Sequence, residues 1–234
     1  MSTDPAQPRP SATLILLRDG TAGLEVLMVR RAATIAFYGG AWAFPGGRVE
    51  PSDCAEGEGL ESLPAVKRAA AREVLEEVSV EVAPEQMTWM SFWVTPVVRP
   101  KRFKTWFFIA EHAHADVVVD GSELDAHRWL TFDEAFAAHR AREMELPPPT
   151  FVTLTELARF RTAAEAIAAF ARTEPTHFLP KLVLVEGGAV SLYQGDAGYE
   201  QADAGATAPR HRLTMIGDTW RYHREQGTER PEIE

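Results

Sequence analysis

An α/β or α+β fold built on a mixed sheet is what the 234-residue sequence predicts, and three observations carry that reading. Short runs rich in branched and aromatic residues alternate irregularly with amphipathic helical stretches. Neighbouring runs are joined by hairpin-type turns, and the regular strand–helix period of a doubly wound parallel sheet is missing. Composition sets the outer bounds. With 45% apolar and 25% charged residues, the chain can bury one sizeable core. Its 34 acidic against 24 basic residues give a net charge of −10, which opposes general binding to nucleic acid or to an anionic membrane. The single cysteine, Cys54, excludes an intramolecular disulfide and a four-thiolate zinc site. No run reaches the roughly 18 apolar residues that cross a bilayer, and the start lacks the order of a secretory signal, so a cytoplasmic location is expected.

Residues 1–11 hold three prolines and almost no apolar side chain, which predicts a flexible arm with the fold starting near Ala12. Strands are expected at 13–17 and 24–29, joined by the turn-forming stretch from Asp19 to Gly23, and again at 87–94 and 105–110. Between those pairs the pattern predicts a helix over 64–78. Another follows at 131–140, where Thr131 and Glu134 have capping-box spacing. Pro147, Pro148 and Pro149 read as a stop signal. Beyond them Thr153 with Glu156 and Thr162 with Glu165 repeat that spacing, predicting two helices with a break near Thr162. Leu154, Leu157, Phe160, Ile167 and Phe170 would face the core. Strands at 181–185, 189–193 and 211–216, with a Gly- and Ala-rich loop over 194–209, complete the reading. A main domain over 12–145 and a helical and strand extension over 146–234 packed on it are the expected divisions.

The stretch from Phe44 to Val80 carries the chemistry. On a helix Glu73, Glu76 and Glu77 fall inside one arc of about 100°. Ala71, Val74, Leu75 and Val78 lie away from it and are expected to form the packing face. Three carboxylates so close repel one another unless a cation sits among them, and hard divalent ions such as Mg²⁺ and Mn²⁺ prefer such oxygens. A solvated acidic face is the plain alternative. Upstream, Gly46 and Gly47 after Pro45 let the backbone approach a ligand and point a carbonyl at a metal.

PheProGlyGly (44–47) followed by ArgGluValLeuGluGlu (72–77) resembles the Nudix box, the signature of the Nudix hydrolases. In their pattern a Gly, five residues and a Glu are followed by seven residues before the ArgGlu pair. Here the first acid is Asp53, and 18 residues separate it from Arg72, 11 more than the pattern has. Ser79 stands where the pattern ends in Gly, which puts a left-handed helix end in question. The insert, the Asp, TrpValThrPro (93–96) and the ArgPhe-x-Thr-x-PhePhe run (102–108) resemble one branch of the family, which includes a peroxisomal coenzyme A diphosphatase of animals.

The resemblance implies an α/β/α sandwich and a metal-dependent hydrolase that cleaves a diphosphate linkage in a small-molecule nucleoside diphosphate derivative. Glu76 and Glu77 would be the main ligands of Mg²⁺ or Mn²⁺, Glu73 a further ligand or the group orienting the attacking water, and Gly46 a carbonyl donor. Arg72 would hold the glutamates by charge-assisted hydrogen bonds. Glu123, six residues before Trp129, resembles a loop glutamate that reaches the metals in some members, with an exposed loop acid as the alternative. Coenzyme A or an acyl derivative is the substrate the branch implies. The family's coenzyme A pattern has an Arg where this chain has Ala36, so ADP-ribose, NADH and dinucleoside polyphosphates stay open, as does a non-catalytic nucleotide-binding role. A homodimer is left open too.

Other features have plainer readings. Arg99, Lys101, Arg102 and Lys104 form a basic cluster that either receives substrate phosphates or guards a strand edge. His112, His114 and His127 lack metal-site spacing and read as surface or core histidines. The insert over 51–62 reads as a surface loop.

Overall fold

The apolar run after Ser11 becomes the middle of a sheet because both of its faces find a cover. The computed structural model describes residues 6–34, 38–112 and 116–225. Strand β1 spans Arg9–Gly20, and its consecutive residues Leu14, Ile15, Leu16 and Leu17 are all fully buried, the pattern of a strand covered on two sides. Residues 9–11, expected in a flexible arm, are therefore strand, and Ser11 Oγ lies 2.7 Å from Thr105 Oγ1. Through Thr21 and Ala22 the chain turns into β2 (Gly23–Arg31), with Gly20 opposite Gly23 in antiparallel register.

Two short strands, β3 (Trp42–Ala43) and β4 (Gly46–Arg48), position the glycine turn. β3 pairs with β2 at Val29 and Arg30, while β4 pairs with β1 at residues 11–13. β1 and β2 thus diverge, and the Pro45–Gly46 turn is wedged between them, held by a 3.1 Å hydrogen bond from Leu14 N–H to the Pro45 carbonyl. Helix α1 (Leu63–Val78) comes next, capped at Ser62, whose hydroxyl accepts from Ala65 N–H. It ends at Ser79, which does adopt the left-handed conformation, at φ 58 and ψ 32. After it come β5 (Thr88–Val94), β6 (Phe103–Glu111), β7 (Leu124–Thr131) and α2 (Phe132–Arg140). β7 lines the edge of β2 opposite β1. The Ser11–Thr105 contact and the bond from His112 N–H to the Leu17 carbonyl show β6 running parallel to β1, so the sheet is mixed.

Ala65, Val66, Ala69, Ala70, Val74 and Val78 of α1 pack against Ala12, Leu14 and Leu16 of β1 and against Leu27 and Val29 of β2. Leu75, expected on the packing face, is instead 47% exposed. The buried stripe of α1 runs through the glutamate arc itself, since Glu77 is only 5% exposed. On the other face of the sheet lie α2, α3 (Pro148–Leu157) and α4 (Ala163–Ala171), the last tied to β1 by the hydrogen bond from Ala163 N–H to Asp19 Oδ1.

Helix starts follow local chemistry with one exception. Thr131 and Glu134 form the expected capping box, and Thr162 accepts from Glu165 N–H. Thr153 caps nothing, because α3 begins five residues earlier. The prolines read as a stop are its first turn, where a missing N–H costs no helical bond. Leu154 and Leu157 are fully buried, whereas Phe160, Ile167 and Phe170 are half-buried and Ala163 and Ala166 take the inner positions of α4.

These elements form the larger of two compact units, comprising residues 9–92 and 105–175; α3 and α4 therefore belong with it. Of the described residues, the smaller unit takes 6–8, 93–104 and 176–225. There Phe178 of β8 (Thr176–Phe178) stacks on Trp93 with ring centroids 3.9 Å apart. Strands β9 (Lys181–Val185), β10 (Gly188–Leu192), β11 (His211–Ile216) and β12 (Thr219–Arg224) make an antiparallel meander.

A buried ion pair orders the long loop between β10 and β11. Arg212 meets both Asp196 carboxylate oxygens at 2.6 Å and spends further donors on the carbonyls of Ala204 and Ala206. Asp196 also accepts from the backbone N–H groups of Gly198 and His211. The neighbouring His211 is 3% exposed. Its Nδ1–H donates to the Gln194 carbonyl at 2.7 Å, and that tautomer leaves Nε2 to accept from the Tyr222 hydroxyl at 3.0 Å.

Burial pushes the His211 imidazole down to about 4 from the ordinary 6.5. The unfolded chain therefore takes up this proton first, so stability is full above about pH 6.5 and is lost as the pH falls toward 4, by about 3 kcal/mol. Urea unfolding at pH 7 and pH 4.5 is expected to show that loss in the wild type and a flatter dependence in His211→Gln.

Candidate active site

The site is assembled where the wedged glycine turn meets the last two turns of α1. Gly46 N–H donates to Glu77 Oε2 at 2.8 Å. A Cβ on Gly46 would lie 2.3 Å from the Ala12 carbonyl oxygen, so that position needs glycine for close backbone approach, whereas one on Gly47 would lie 2.3 Å from the movable Glu73 carboxyl, so glycine there leaves room for that carboxyl. The Gly46 N–H thus serves the Glu77 carboxylate, and its carbonyl, the group the sequence offers to a metal, is a separate atom of the same turn.

Arg72 organises the carboxylates. Its Nε and Nη2 grip Asp53 Oδ1 and Oδ2 at 2.9 and 3.0 Å, Nη1 bridges Glu73 and Glu76 at 2.9 and 3.0 Å, and Nη2 also reaches the Arg48 carbonyl at 3.0 Å. All five guanidinium hydrogens are used, a geometry a lysine cannot match. Asp53, itself 5% exposed, also accepts from Glu50 N–H at 2.8 Å. Burial would raise its pKa, but the Arg72 and Glu50 hydrogen bonds outweigh that and hold it below the usual carboxylate range.

Glu73 and Glu77 behave the other way. Burial lifts Glu73 above the ordinary value, with the charges of Glu76 and Glu123 adding to the shift and Arg72 opposing it. Burial is also the main cause for Glu77, which is pushed up to about 8; Gly46 N–H and Arg31 oppose the rise, and Glu73 and Glu123 add to it. Glu76 has a side chain 58% exposed at the rim. Among the described residues no three His, Cys, Asp or Glu side chains converge on one point as a ready-made cation cage. The donor set nevertheless fits a hard divalent cation: two desolvated carboxylates and a third at the rim carry repulsion that added positive charge would relieve.

Glu123 stands on the exposed loop before β7, tied to the sheet through its carbonyl, which accepts from Ala32 N–H at 2.8 Å. Its charge is felt by both Glu73 and Glu77. Arg31 was missed by sequence reasoning. It ends β2 at a bulge opposite Leu124, its Nε is buried with no hydrogen-bond partner among the described residues, and its charge acts on Glu77. Its neighbour Arg30 is engaged by Asp125 at 2.6 Å. The detectable signal was a basic residue closing an otherwise apolar strand. Arg99, Lys101, Arg102 and Lys104 belong to the smaller unit, where Arg102 donates to the backbone carbonyls of Thr95 and Ala6. His112 and His127 are half-buried; His114 and Ala36 lie outside the described residues. The insert is largely exposed, as expected, apart from Asp53. It is pinned to α1 twice more, by Arg68 on the Asp53 carbonyl at 2.7 Å and by the Arg68–Glu58 ion pair.

Comparison with known proteins places the chain in a family. A family profile for the NUDIX domain matches residues 7–149. Two curated relatives are named acyl-coenzyme A diphosphatase NUDT19. One, from Xenopus laevis, is 28% identical over 55% of this chain and 36% of its own length. The other, from Homo sapiens, is 30% identical over 47% and 31%. The chain thus spans about a third of the length of these relatives. The crystal structure of a NUDIX hydrolase from Alicyclobacillus acidocaldarius superimposes with a TM-score of 0.62 at 27% identity, covering 72% of this chain and 99% of that one.

Gly47→Ala is expected to separate site from fold. The new Cβ meets only the far end of the Glu73 side chain, which can swing aside, so stability should change by no more than about 1 kcal/mol. The Glu73 carboxyl cannot then keep its place, and hydrolysis should fall at least about tenfold. Thermal melting and initial rates on the same preparation check both halves.

Proposed function

This chain belongs to the NUDIX domain family, and on that premise we propose that it is a divalent-metal-dependent hydrolase of nucleoside diphosphate derivatives, with coenzyme A or its acyl esters as the substrate. The observation that carries the reading is the glutamate triad of α1 set against the Gly46–Gly47 turn, with Arg72 gripping two of the three carboxylates. The NUDT19 relatives support the choice of coenzyme A. Cleavage of its diphosphate by water would give 3′,5′-ADP and phosphopantetheine or its acyl form.

Glu73, Glu76 and Glu77 would hold Mg²⁺ or Mn²⁺. A cation bound there supplies charge neutralisation at the phosphoryl oxygens and a lowered pKa for the attacking water. The chain's own groups do the rest. Gly46 N–H orients the Glu77 carboxylate, and Arg72, anchored by Asp53, fixes Glu73 and Glu76. Glu123 takes the proton from the attacking water. Arg31, whose buried Nε–H has no partner among the described residues, brings a guanidinium that donates to a phosphoryl oxygen and offsets its charge.

Glu77→Gln keeps the shape and removes the charge, and turnover should fall at least about a hundredfold. Its folded-state pKa is raised, so ionising Glu77 costs the metal-free protein stability as the pH climbs from the ordinary 4.5 toward about 8. The Gln variant should therefore melt no lower than the wild type at pH 8 in chelator. Coenzyme A, acetyl-coenzyme A, ADP-ribose, NADH and a dinucleoside polyphosphate, each with Mg²⁺ and with Mn²⁺ and with products resolved by mass, test the substrate. Preference for another member of the panel would remove the coenzyme A assignment, and full turnover in excess chelator or by Glu77→Gln would remove the metal-site reading.

A further inference from the structure

The loop that carries Glu123 is exposed, yet it is bound more tightly than its sequence, ValValValAspGlySerGlu (117–123), suggests. One side chain accounts for this. Asp120 accepts at Oδ2 from Ser122 N–H at 3.1 Å, from Glu123 N–H at 2.8 Å and from the Ser122 hydroxyl, and at Oδ1 from Leu124 N–H at 2.9 Å. Its own N–H donates to the Glu77 carbonyl at 3.0 Å, and Val118 N–H donates to the Val78 carbonyl at 3.1 Å. The loop is therefore anchored at one end on the last turn of α1, at Glu77 itself and at Val78. At the other end the Glu123 carbonyl is fixed by Ala32 N–H beside Arg31. Asp120 joins the two anchors. Four hydrogen bonds on one carboxylate are more than a loop needs to turn, since an aspartate usually makes one or two such local bonds in a turn.

We infer that Asp120 is a positioning residue for the reaction: it fixes the backbone of residues 122–124 to the end of α1 and so sets where the Glu123 carboxylate stands relative to Glu73 and Glu77. The inference rests on the role proposed for Glu123. It concerns how that group is placed, and the charge of Glu123 felt at both helix glutamates agrees with the placement. Side chains on exposed loops move among rotamers, and a base displaced by an ångström loses much of its rate advantage. Fastening the backbone on both sides of Glu123 limits that loss without any contact between Asp120 and substrate.

A mutant cycle on the full chain tests it, with coenzyme A and ADP-ribose as probes in Mg²⁺. Asp120→Ala, Glu123→Gln and the double variant are compared by kcat and KM, and amide exchange of residues 117–124 is followed in the metal-free protein. Asp120→Ala is expected to lower kcat about tenfold or more with KM changed less than about twofold, and to speed exchange in the loop while α1 and β1 keep their protection. In the Glu123→Gln background it should add no further loss, because both changes remove one function. Where Asp120→Ala folds poorly, Asp120→Asn, which keeps the volume and one acceptor, runs the same cycle with a smaller expected loss.

An equal loss in both backgrounds would overturn the positioning role, as would wild-type kcat or unchanged loop exchange in Asp120→Ala. Wild-type kcat in Glu123→Gln alone would instead overturn the proposed role of Glu123, and with it the inference.

Discussion

Placing carboxylates on the buried face of a packed helix is the constraint from which the rest of the larger unit follows. α1 spends its first turns on Ala65, Val66, Ala69 and Ala70 against the sheet, and the same stripe then passes through Glu73 and Glu77. Small residues bring the helix close, and closeness desolvates the acids that come after them on that face. An isolated ionised carboxylate in such a place is costly, so every neighbour is a form of compensation. The glycine turn supplies an N–H to Glu77, Arg31 supplies charge, and Arg72 supplies a fork to Glu73 and Glu76. The divergence of β1 from β2 belongs to the same logic, since it opens the space into which Pro45 and Gly46 bring that N–H.

Arg72 needs its own anchor, and Asp53 provides it with two oxygens. This explains how an insert of 11 extra residues can sit inside the motif without loosening it. Loop-closure entropy rises only slowly with length, and it is Asp53, near the start of the insert, that has to be placed accurately. Pro51 and the Glu50–Asp53 turn hold that residue, and Arg68 then pins the return of the loop through Glu58. An aspartate, with its shorter side chain, fits here because the turn brings its backbone close to α1, as the Arg68 bond to the Asp53 carbonyl shows. The intervening residues are left free to vary.

Much of this was legible in the sequence, and the failures have physical causes. Local chemistry announced the caps at Thr131 and Thr162 and the hairpin at Gly20–Gly23, and β9 and β11 fall where branched residues cluster. β7 was missed because LeuAspAlaHisArgTrpLeuThr has little strand propensity; its pairing with β2, a tertiary effect, makes it a strand. The prolines before α3 were misread because Pro is equally at home ending a segment and starting a helix. At the site, the glutamates and Arg72 could be found from spacing, but the face they occupy could not. Taking charge as a mark of the solvent side placed Leu75 inward, and that rule fails where a protein buries charge for chemistry. Arg31 and Asp120 escaped notice because a lone basic or acidic residue acquires meaning only from partners distant in sequence.

The two units answer to pH in opposite senses, and the contrast separates burial that serves stability from burial that serves a site. In the smaller unit His211 is held neutral and Asp196 is held ionised by Arg212, so acid weakens both. Each has its hydrogen bonds made within the chain, and the aromatic rings of Tyr193, Phe178 and Tyr222 close around the histidine. In the larger unit Glu77 carries the reverse sign, because raising the pH charges a group that the fold desolvates. Nothing among the described residues removes that cost: Gly46 and Arg31 reduce it, while Glu73 and Glu123 add to it. A structure selected for stability alone would place an apolar or amide side chain at 77. Retaining a carboxylate there, with a donor aimed at one of its oxygens, is the arrangement expected of a site completed by a cation and not by folding.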